Sequence, residues 1–339
     1  MERRESVHRR RTLYLVRHGE ALHNVKEAEA QAKARLLAQE EGLSEEETLQ
    51  KMEAARKEVL KDQSFFDAPL TDKGRLQARR TGELLARLVG AEWEDDEDDS
   101  SNYESDEDED DDNNACPAVT AEKRVRRIVQ SNEIRLHPPT EAMVSPLSRC
   151  LETAEIMLHQ HFDSRNTIKC NNPNSKTKNG NNNNKNGNTN SHNTCILDPE
   201  LKVHIRPEIR ERQTQFPADT PKEMGHLLNW TQQKYMSNTK GPFKFHVKEQ
   251  ALKGNYDLSV EESKTMLRER ASKLFHVLME MHHTHIFICS HKGYLREMER
   301  GLLGLSEEDS PLFANGELRV YRVVFTRGER ALKSVERLV

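Results

Sequence analysis

Apolar residues in this chain fall into short runs, and several of the runs end in chemically useful side chains. Thr12-Leu13-Tyr14-Leu15-Val16 has the length and β-favouring content of a buried strand. It closes in Arg17-His18-Gly19, where core gives way to reagents. Ala142-Met143-Val144 reads as a second short strand, with Ser145 as N-cap and Pro146 as first residue of a following helix. That placement puts Arg149 in the first turn, among free backbone N–H groups that favour anions. Lys202-Val203-His204-Ile205 and His285-Ile286-Phe287-Ile288-Cys289 give two more strands, and Glu317 to Phe325 another. Between them lie helical stretches at 73–89 and 261–283; the second spaces Met266, Leu267, Leu274, Val277, Leu278 and Met281 as one core face. Ser44-x-x-Glu47, Thr220-x-x-Glu223 and Ser259-x-x-Glu262 have capping-box form, with Pro221 suited to the first helical position. Strands alternating with helices predict a layered α/β domain.

Three segments depart from this alternation. Residues 26–62 are rich in Ala, Glu, Lys and Leu, and Gly42 and Ser44 divide them into two helices, a helical insertion that directly follows Asn24. It either caps the pocket or lies as a hairpin on the body. Residues 94–112 hold fourteen Asp or Glu and no Lys or Arg. Residues 171–194 are about half asparagine. Neither has the apolar surface to offset ordering entropy, so 94–114 and 166–195 read as disordered insertions in a single domain spanning 1–339.

The formal charge of −5 becomes +9 without the fourteen acids, a basic body suited to an anionic ligand. The chain shows no interleaved aromatic platform, so nucleic acid is not expected as a partner. No run is long enough to span a bilayer, and no secretory signal precedes the first strand, so the expected location is the cytoplasm and no membrane partner is implied. Five cysteines without a C-x-x-C pair read as reduced thiols, with Cys150 and Cys289 buried as small apolar residues.

The run endings carry the candidate chemistry. His18 offers a ring nitrogen as nucleophile, Arg17 a fork of donors suited to phosphate, and Gly19 room for close approach. Ser290-His291-Lys292-Gly293 ends the later strand in a second histidine. Ile209-Arg210-Glu211-Arg212 delivers acids and bases to a loop.

Six segments in one order resemble the histidine phosphatase superfamily, also called phosphoglycerate mutase-like: L-V-R-H-G-E-A-L-H-N at 15–24, A-P-L-T-D-K-G-R-L-Q-A at 68–78, S-P-L-S-R-C-L-E-T-A at 145–154, I-R-E-R at 209–212, S-H-K-G at 290–293 and N-G-E-L at 315–318. His23-Asn24 and the spacing from Glu211 to Asp219 look most like a eukaryotic phosphomutase-like branch of fungi and plants, which usually carries Cys-Asp where this chain has Ala218-Asp219. The resemblance implies a three-layer α/β/α fold with a mostly parallel central sheet. It implies a phosphomonoester hydrolase in which His18 becomes phosphohistidine and Arg17, Arg149 and His291 hold the transferring group. Asn24 and Lys292 are then substrate-binding residues, and Glu211 is the proton donor with Glu208 as rival; Glu20 is not expected in that role. The implied partner is a small phosphorylated molecule. No cofactor and no metal are implied, because the histidines lack local ligand spacing and two arginines repel a cation. Oligomeric state is open.

Two other functions remain at this stage. A phosphoglycerate mutase uses the same histidine, but typically continues with His-Tyr-Gly after the acid-bearing loop, where this chain has Gln213-Thr214-Gln215. A non-catalytic interaction module has no physical need for Arg17, His18, Arg149, Glu211 and His291 together.

Overall fold

A computed structural model describes residues 8–90, 136–159, 201–221, 244–246, 260–326 and 331–339. The acidic and Asn-rich stretches, the helix start expected at Thr220, and Cys116, Cys170 and Cys195 lie outside the described residues, wholly or in the part that matters.

Among the described residues seven strands form one sheet: β1 (His8–Arg17), β2 (Glu141–Val144), β3 (Lys202–Ile205), β4 (Lys244–His246), β5 (His285–Ser290), β6 (Leu318–Thr326) and β7 (Ala331–Arg337), in the order β4-β3-β2-β5-β1-β6-β7. The five strands from β4 to β1 run parallel; β6 and β7 are antiparallel to their neighbours. The described helices are α1 (Leu22–Glu40), α2 (Glu45–Leu60), α3 (Asp72–Gly90), α4 (Ser148–His159), α5 (Lys264–Glu280) and α6 (Lys292–Gly301).

The period of two along each strand sorts the core into two halves. Tyr14, Val16, Ala142, Val144, Phe287, Cys289 and Val320 face α3 and α4, packing on Leu85, Leu88, Leu151 and Met157. Leu13, Leu15, Met143, Ile286, Ile288 and Tyr321 face the other way, onto Leu267, Leu274, Leu295 and Met298 of α5 and α6. The result is the expected three-layer α/β/α sandwich with a mostly parallel sheet.

Several local expectations change. The opening strand starts at His8, four residues before its apolar run, because β6 pairs along its whole length. Arg9 and Arg11 in that extension donate to the Met279 and Met281 carbonyls at 2.6 and 2.7 Å, closing the C-terminal end of α5. α5 begins at Lys264 under Ser263, whose hydroxyl accepts from the Met266 N–H, so the predicted Ser259–Glu262 capping box does not start it. Glu262 instead meets Arg270 and the Gln213 N–H. Ser44 and Glu47 do form the reciprocal capping box at the head of α2. α4 starts at Ser148, so Ser145 is not its N-cap. That office falls to Asp67, whose carboxylate accepts the Ser148 N–H at 2.8 Å and its hydroxyl at 2.6 Å. Asp67 adopts φ 45, a cost its two hydrogen bonds offset.

Candidate active site

Strand register builds the site. In the parallel β1–β5 pair Arg17 lies opposite Ser290, so the next residues, His18 and His291, leave the sheet side by side. Their ring centroids are 5.1 Å apart. In the β2–β5 pair Val144 lies opposite Cys289, which brings Ser145 beside the same spot; its hydroxyl is 2.6 Å from His291 Nε2. The carboxyl ends of neighbouring parallel strands thus converge on one crevice, as open α/β sheets require.

The His18 tautomer follows from its partners. Nδ1 lies 2.7 Å from the Gly19 carbonyl, which only accepts, so Nδ1 carries the proton. Nε2 lies 3.2 Å from Arg149 Nε, which only donates, so Nε2 presents a lone pair. Burial, then the charges of Arg149, His291 and Arg17, press the His18 pKa well below its ordinary value. His291 is pushed down in the same way, by burial first and by Arg149, His23 and Arg17 after it. Both rings are neutral at physiological pH.

Arg149 and Arg17 supply the positive wall. Arg149 is 1 % exposed and donates Nε to His18, Nη1 to the Ala218 carbonyl at 2.6 Å and Nη2 to Asp219 at 3.2 Å. Arg17 donates Nη1 to the Phe313 carbonyl at 2.7 Å, while its buried Nε has no hydrogen-bond partner among the described residues. Burial lowers the Arg17 pKa to about 10, with Glu211 opposing and Arg149 reinforcing the shift. The guanidinium keeps its charge at neutral pH.

Backbone contacts explain the remaining motif residues. The Gly19 N–H donates to the Thr153 hydroxyl at 3.1 Å, and the Glu20 N–H to Gln77 at 2.8 Å. Gly19 and Gly74 pass so closely that a Cβ on Gly19 would lie 2.3 Å from the Gly74 carbonyl oxygen. Only glycines allow the turn after His18 to sit on the start of α3. Glu20 turns outward to the Thr71 hydroxyl and Lys73, away from the imidazoles. The N-G-E-L segment holds the loop behind Arg17: the Gly316 N–H donates to the His18 carbonyl, and Gly316 itself has φ 74. Arg319, between Glu299 and Glu317 and stacked 3.6 Å over Phe313, braces that loop.

Glu211 and Glu208 separate. The Glu211 carboxylate accepts the Arg212 N–H at 2.8 Å and the Gly293 N–H at 3.4 Å, which places it at the N-terminus of α6 beside the crevice. Gly293 makes the room, since a Cβ there would lie 2.5 Å from Glu211 Oε1. Glu208 is exposed, with its carbonyl held by Arg270. Lys292 is half-buried next to His291, and burial lowers its pKa. Asn24 accepts the Ala21 N–H on Oδ1 and places Nδ2 2.9 Å from His23 Nε2.

Four residues of the site were not assigned roles from sequence. Asp219 pairs with Arg149 and takes the Thr214 hydroxyl at 2.6 Å; burial raises its pKa to about 6, against the pull of Arg149. Ser145 has the sequence setting of a helix cap, and Asp67 carries no signal beyond preceding Ala68-Pro69. His23 is 5 % exposed, with its ring 6.4 Å from His18. Its sequence signals are the His23-Asn24 pair and its distance of five residues from the nucleophile candidate, neither of which indicates a role for the ring. Among the described residues no group of three or more His, Cys, Asp or Glu side chains could hold a metal ion, and no helix is long and apolar enough to cross a membrane.

Residues 218–337 match the family model described as the histidine phosphatase superfamily (branch 1). Among solved structures the chain is similar to mycobacterial glucosyl-3-phosphoglycerate phosphatase, at 13% identity over 97% of each chain with a TM-score of 0.42. It is also similar to phosphoserine phosphatase from Entamoeba histolytica, at 13% identity over 97% of this chain and 99% of that one with a TM-score of 0.37. A third similar structure is Bacillus stearothermophilus YhfR, at 14% identity over 95% of this chain and 94% of that one with a TM-score of 0.39. No curated protein matches the chain. The matched segment carries His291 and the strands and helices around it, and over that segment the chain is similar to the histidine phosphatase superfamily; His18 and Arg149 lie outside it, in motifs that resemble the same superfamily.

Proposed function

We propose that the chain is a phosphomonoester hydrolase that works through a phosphohistidine on His18. The match of residues 218–337 to the histidine phosphatase family model supports phosphoryl-transfer chemistry. The observation that carries the narrower reading is the state of His18 Nε2: a neutral lone pair facing Arg149 in a pocket walled by Arg17 and His291. Phosphoryl transfer asks a protein for little besides this, a positioned nucleophile and preorganised positive donors.

Nε2 attacks phosphorus and the ester oxygen departs. Arg17, Arg149 and His291 hold the equatorial oxygens, joined by the second hydrogen of Asn24 Nδ2 and by the Lys292 ammonium. Glu211 gives its proton to the leaving oxygen. In the second step the same carboxylate takes a proton from water, which displaces the phosphoryl group from His18 and releases inorganic phosphate. The location of Glu211 beside the crevice, against the exposed place of Glu208, supports this choice of donor.

The α1–α2 hairpin rises directly from this site, since α1 starts four residues after His18. Glu27 of α1 pairs with Arg56 of α2 at 3.3 Å, one helical turn above the buried His23. The charges of the pair reach the site, Glu27 acting on Arg17 and Lys292 and Arg56 on His23 and Lys292, and this proximity supports a part for the hairpin in limiting the substrates that enter.

The test is chemical. Incubation with an aryl phosphate and a denaturing alkaline quench, which preserves phosphohistidine, gains the protein one PO₃ unit on the peptide containing His18. His18→Ala gains none and turns over nothing. Release of phosphate from 3-phosphoglycerate supports hydrolysis, whereas its isomerisation without release identifies a mutase and overturns the reading.

A further inference from the structure

His23 carries a donor that the reaction outlined above leaves unused. Its protonation state is set by a chain of hydrogen bonds with one solution. The Ala21 N–H donates to Asn24 Oδ1 at 3.1 Å, and Asn315 Nδ2 donates to the same oxygen at 3.3 Å. Those two donors fix the orientation of the Asn24 amide. Its Nδ2 therefore points at His23 Nε2, 2.9 Å away, and that nitrogen accepts. In a neutral ring the proton then resides on Nδ1. Burial, with Arg149 and Arg17 as the largest charges acting on it and Arg56 and Lys292 after them, keeps the ring neutral.

The Nδ1–H so defined is buried and has no hydrogen-bond partner among the described residues, in a residue that is 5 % exposed. A buried donor without an acceptor is costly, and folds retain one where a ligand completes it. The charges around this donor are the cations that line the crevice, and its ring lies 6.4 Å from the His18 ring. An anionic oxygen is the acceptor such surroundings favour.

We propose that His23 is a further catalytic residue, donating its Nδ1–H to an anionic oxygen of the phosphoryl group, and that Asn24 positions it by fixing its tautomer. The inference rests on the phosphatase reading and names a group that touches the same substrate atom cluster. It also gives Asn315 a role, since that amide holds Asn24 in the orientation the tautomer requires.

Calorimetric titration of the full chain with inorganic phosphate tests it without depending on turnover. His23→Phe keeps the ring and removes the donor; His23→Asn returns an N–H near the place of Nδ1. The proposal predicts phosphate binding weakened about tenfold or more in His23→Phe, the size of one hydrogen bond to a charged group, and partly recovered in His23→Asn. Thermal unfolding of His23→Phe stays near the wild-type value, because removal of the unpaired Nδ1–H offsets the loss of the acceptor for Asn24 Nδ2. Equal phosphate affinity in the wild type and His23→Phe overturns the inference and leaves the phosphatase reading intact, as does His23→Asn binding no better than His23→Phe. A wild-type chain that binds no phosphate and hydrolyses no ester overturns both.

Discussion

At the residue scale the site is a set of groups held in unusual states by burial. His18, His23 and His291 all have pKa values well below the ordinary histidine range. The unfolded chain protonates these rings near pH ~6.5 while the folded chain refuses the protons, so stability is full above that pH and is lost as pH falls through it. Each contributes a slope of about 1.4 kcal/mol per pH unit below the unfolded value. Asp219 opposes them. Its folded pKa is raised to about 6, so the folded chain keeps a proton the unfolded one releases, and its contribution to stability is lost as pH rises toward 6. Urea unfolding across acid pH will show a stability that falls toward low pH, more steeply in Asp219→Asn and less steeply in His23→Phe. The same states bear on turnover: His18 stays a nucleophile in mild acid, so the acid limb of kcat/KM will not follow the titration of an ordinary histidine. Glu211→Ala will slow an alkyl ester about 10²–10⁴-fold and an aryl ester with a good leaving group far less, the span general acid catalysis provides. Equal losses on both esters count against Glu211. Arg17, His18 and His291 were legible because each closes an apolar run, and Arg149 because it falls in the first turn of the helix after one. Asp219 and His23 were not, because their states depend on what the fold packs around them.

At the element scale, turns and helix starts position the reagents. Gly293 lies in the first turn of α6 and leaves room for the Glu211 carboxylate. Gly293→Ala suits a helix, so the fold will hold, but the methyl displaces Glu211 and the variant will copy the leaving-group dependence of Glu211→Ala. Turnover of an alkyl ester at the wild-type rate contradicts that. Gly74→Ala sets a Cβ 2.0 Å from the Glu20 carbonyl oxygen, against backbone that cannot turn aside. It will cost about 1–3 kcal/mol in unfolding free energy and lower activity by shifting the nucleophile's turn. Arg319→Met leaves Glu299, which has no exposed surface, without its ion-pair partner and will cost about 3–5 kcal/mol. Strands were read well where apolar residues run together, as in β1 and β5, or alternate in part, as in β6. β7 was missed because only Leu332 and Val335 are half-buried and its other residues are exposed, and the basic head of β1 because pairing with β6, not hydropathy, extends it. The head of α4 was misplaced because its cap comes from Asp67, 81 residues earlier in the chain.

At the scale of the whole molecule, one sheet gathers reagents scattered along the sequence. The β1–β5 register alone joins His18 to His291, and β2 adds Ser145 and the helix bearing Arg149. The order of motifs announced this assembly, because alternating strands and helices restrict how the chain returns to one sheet edge. It did not announce substrate choice, which the proposal above gives to the α1–α2 hairpin and its Glu27–Arg56 pair. Arg56→Ala will alter relative kcat/KM across sugar phosphates, phosphoglycerates and nucleotides while an aryl phosphate is spared; an unchanged ranking denies the hairpin a part in selection. The account as a whole depends on a covalent step at one imidazole. The most direct measurement is mass analysis of the chain after turnover and an alkaline denaturing quench. A single PO₃ unit on His18, absent in His18→Ala, is the predicted result. Phosphate release by the wild type with no phosphorylated histidine at any quench time contradicts it.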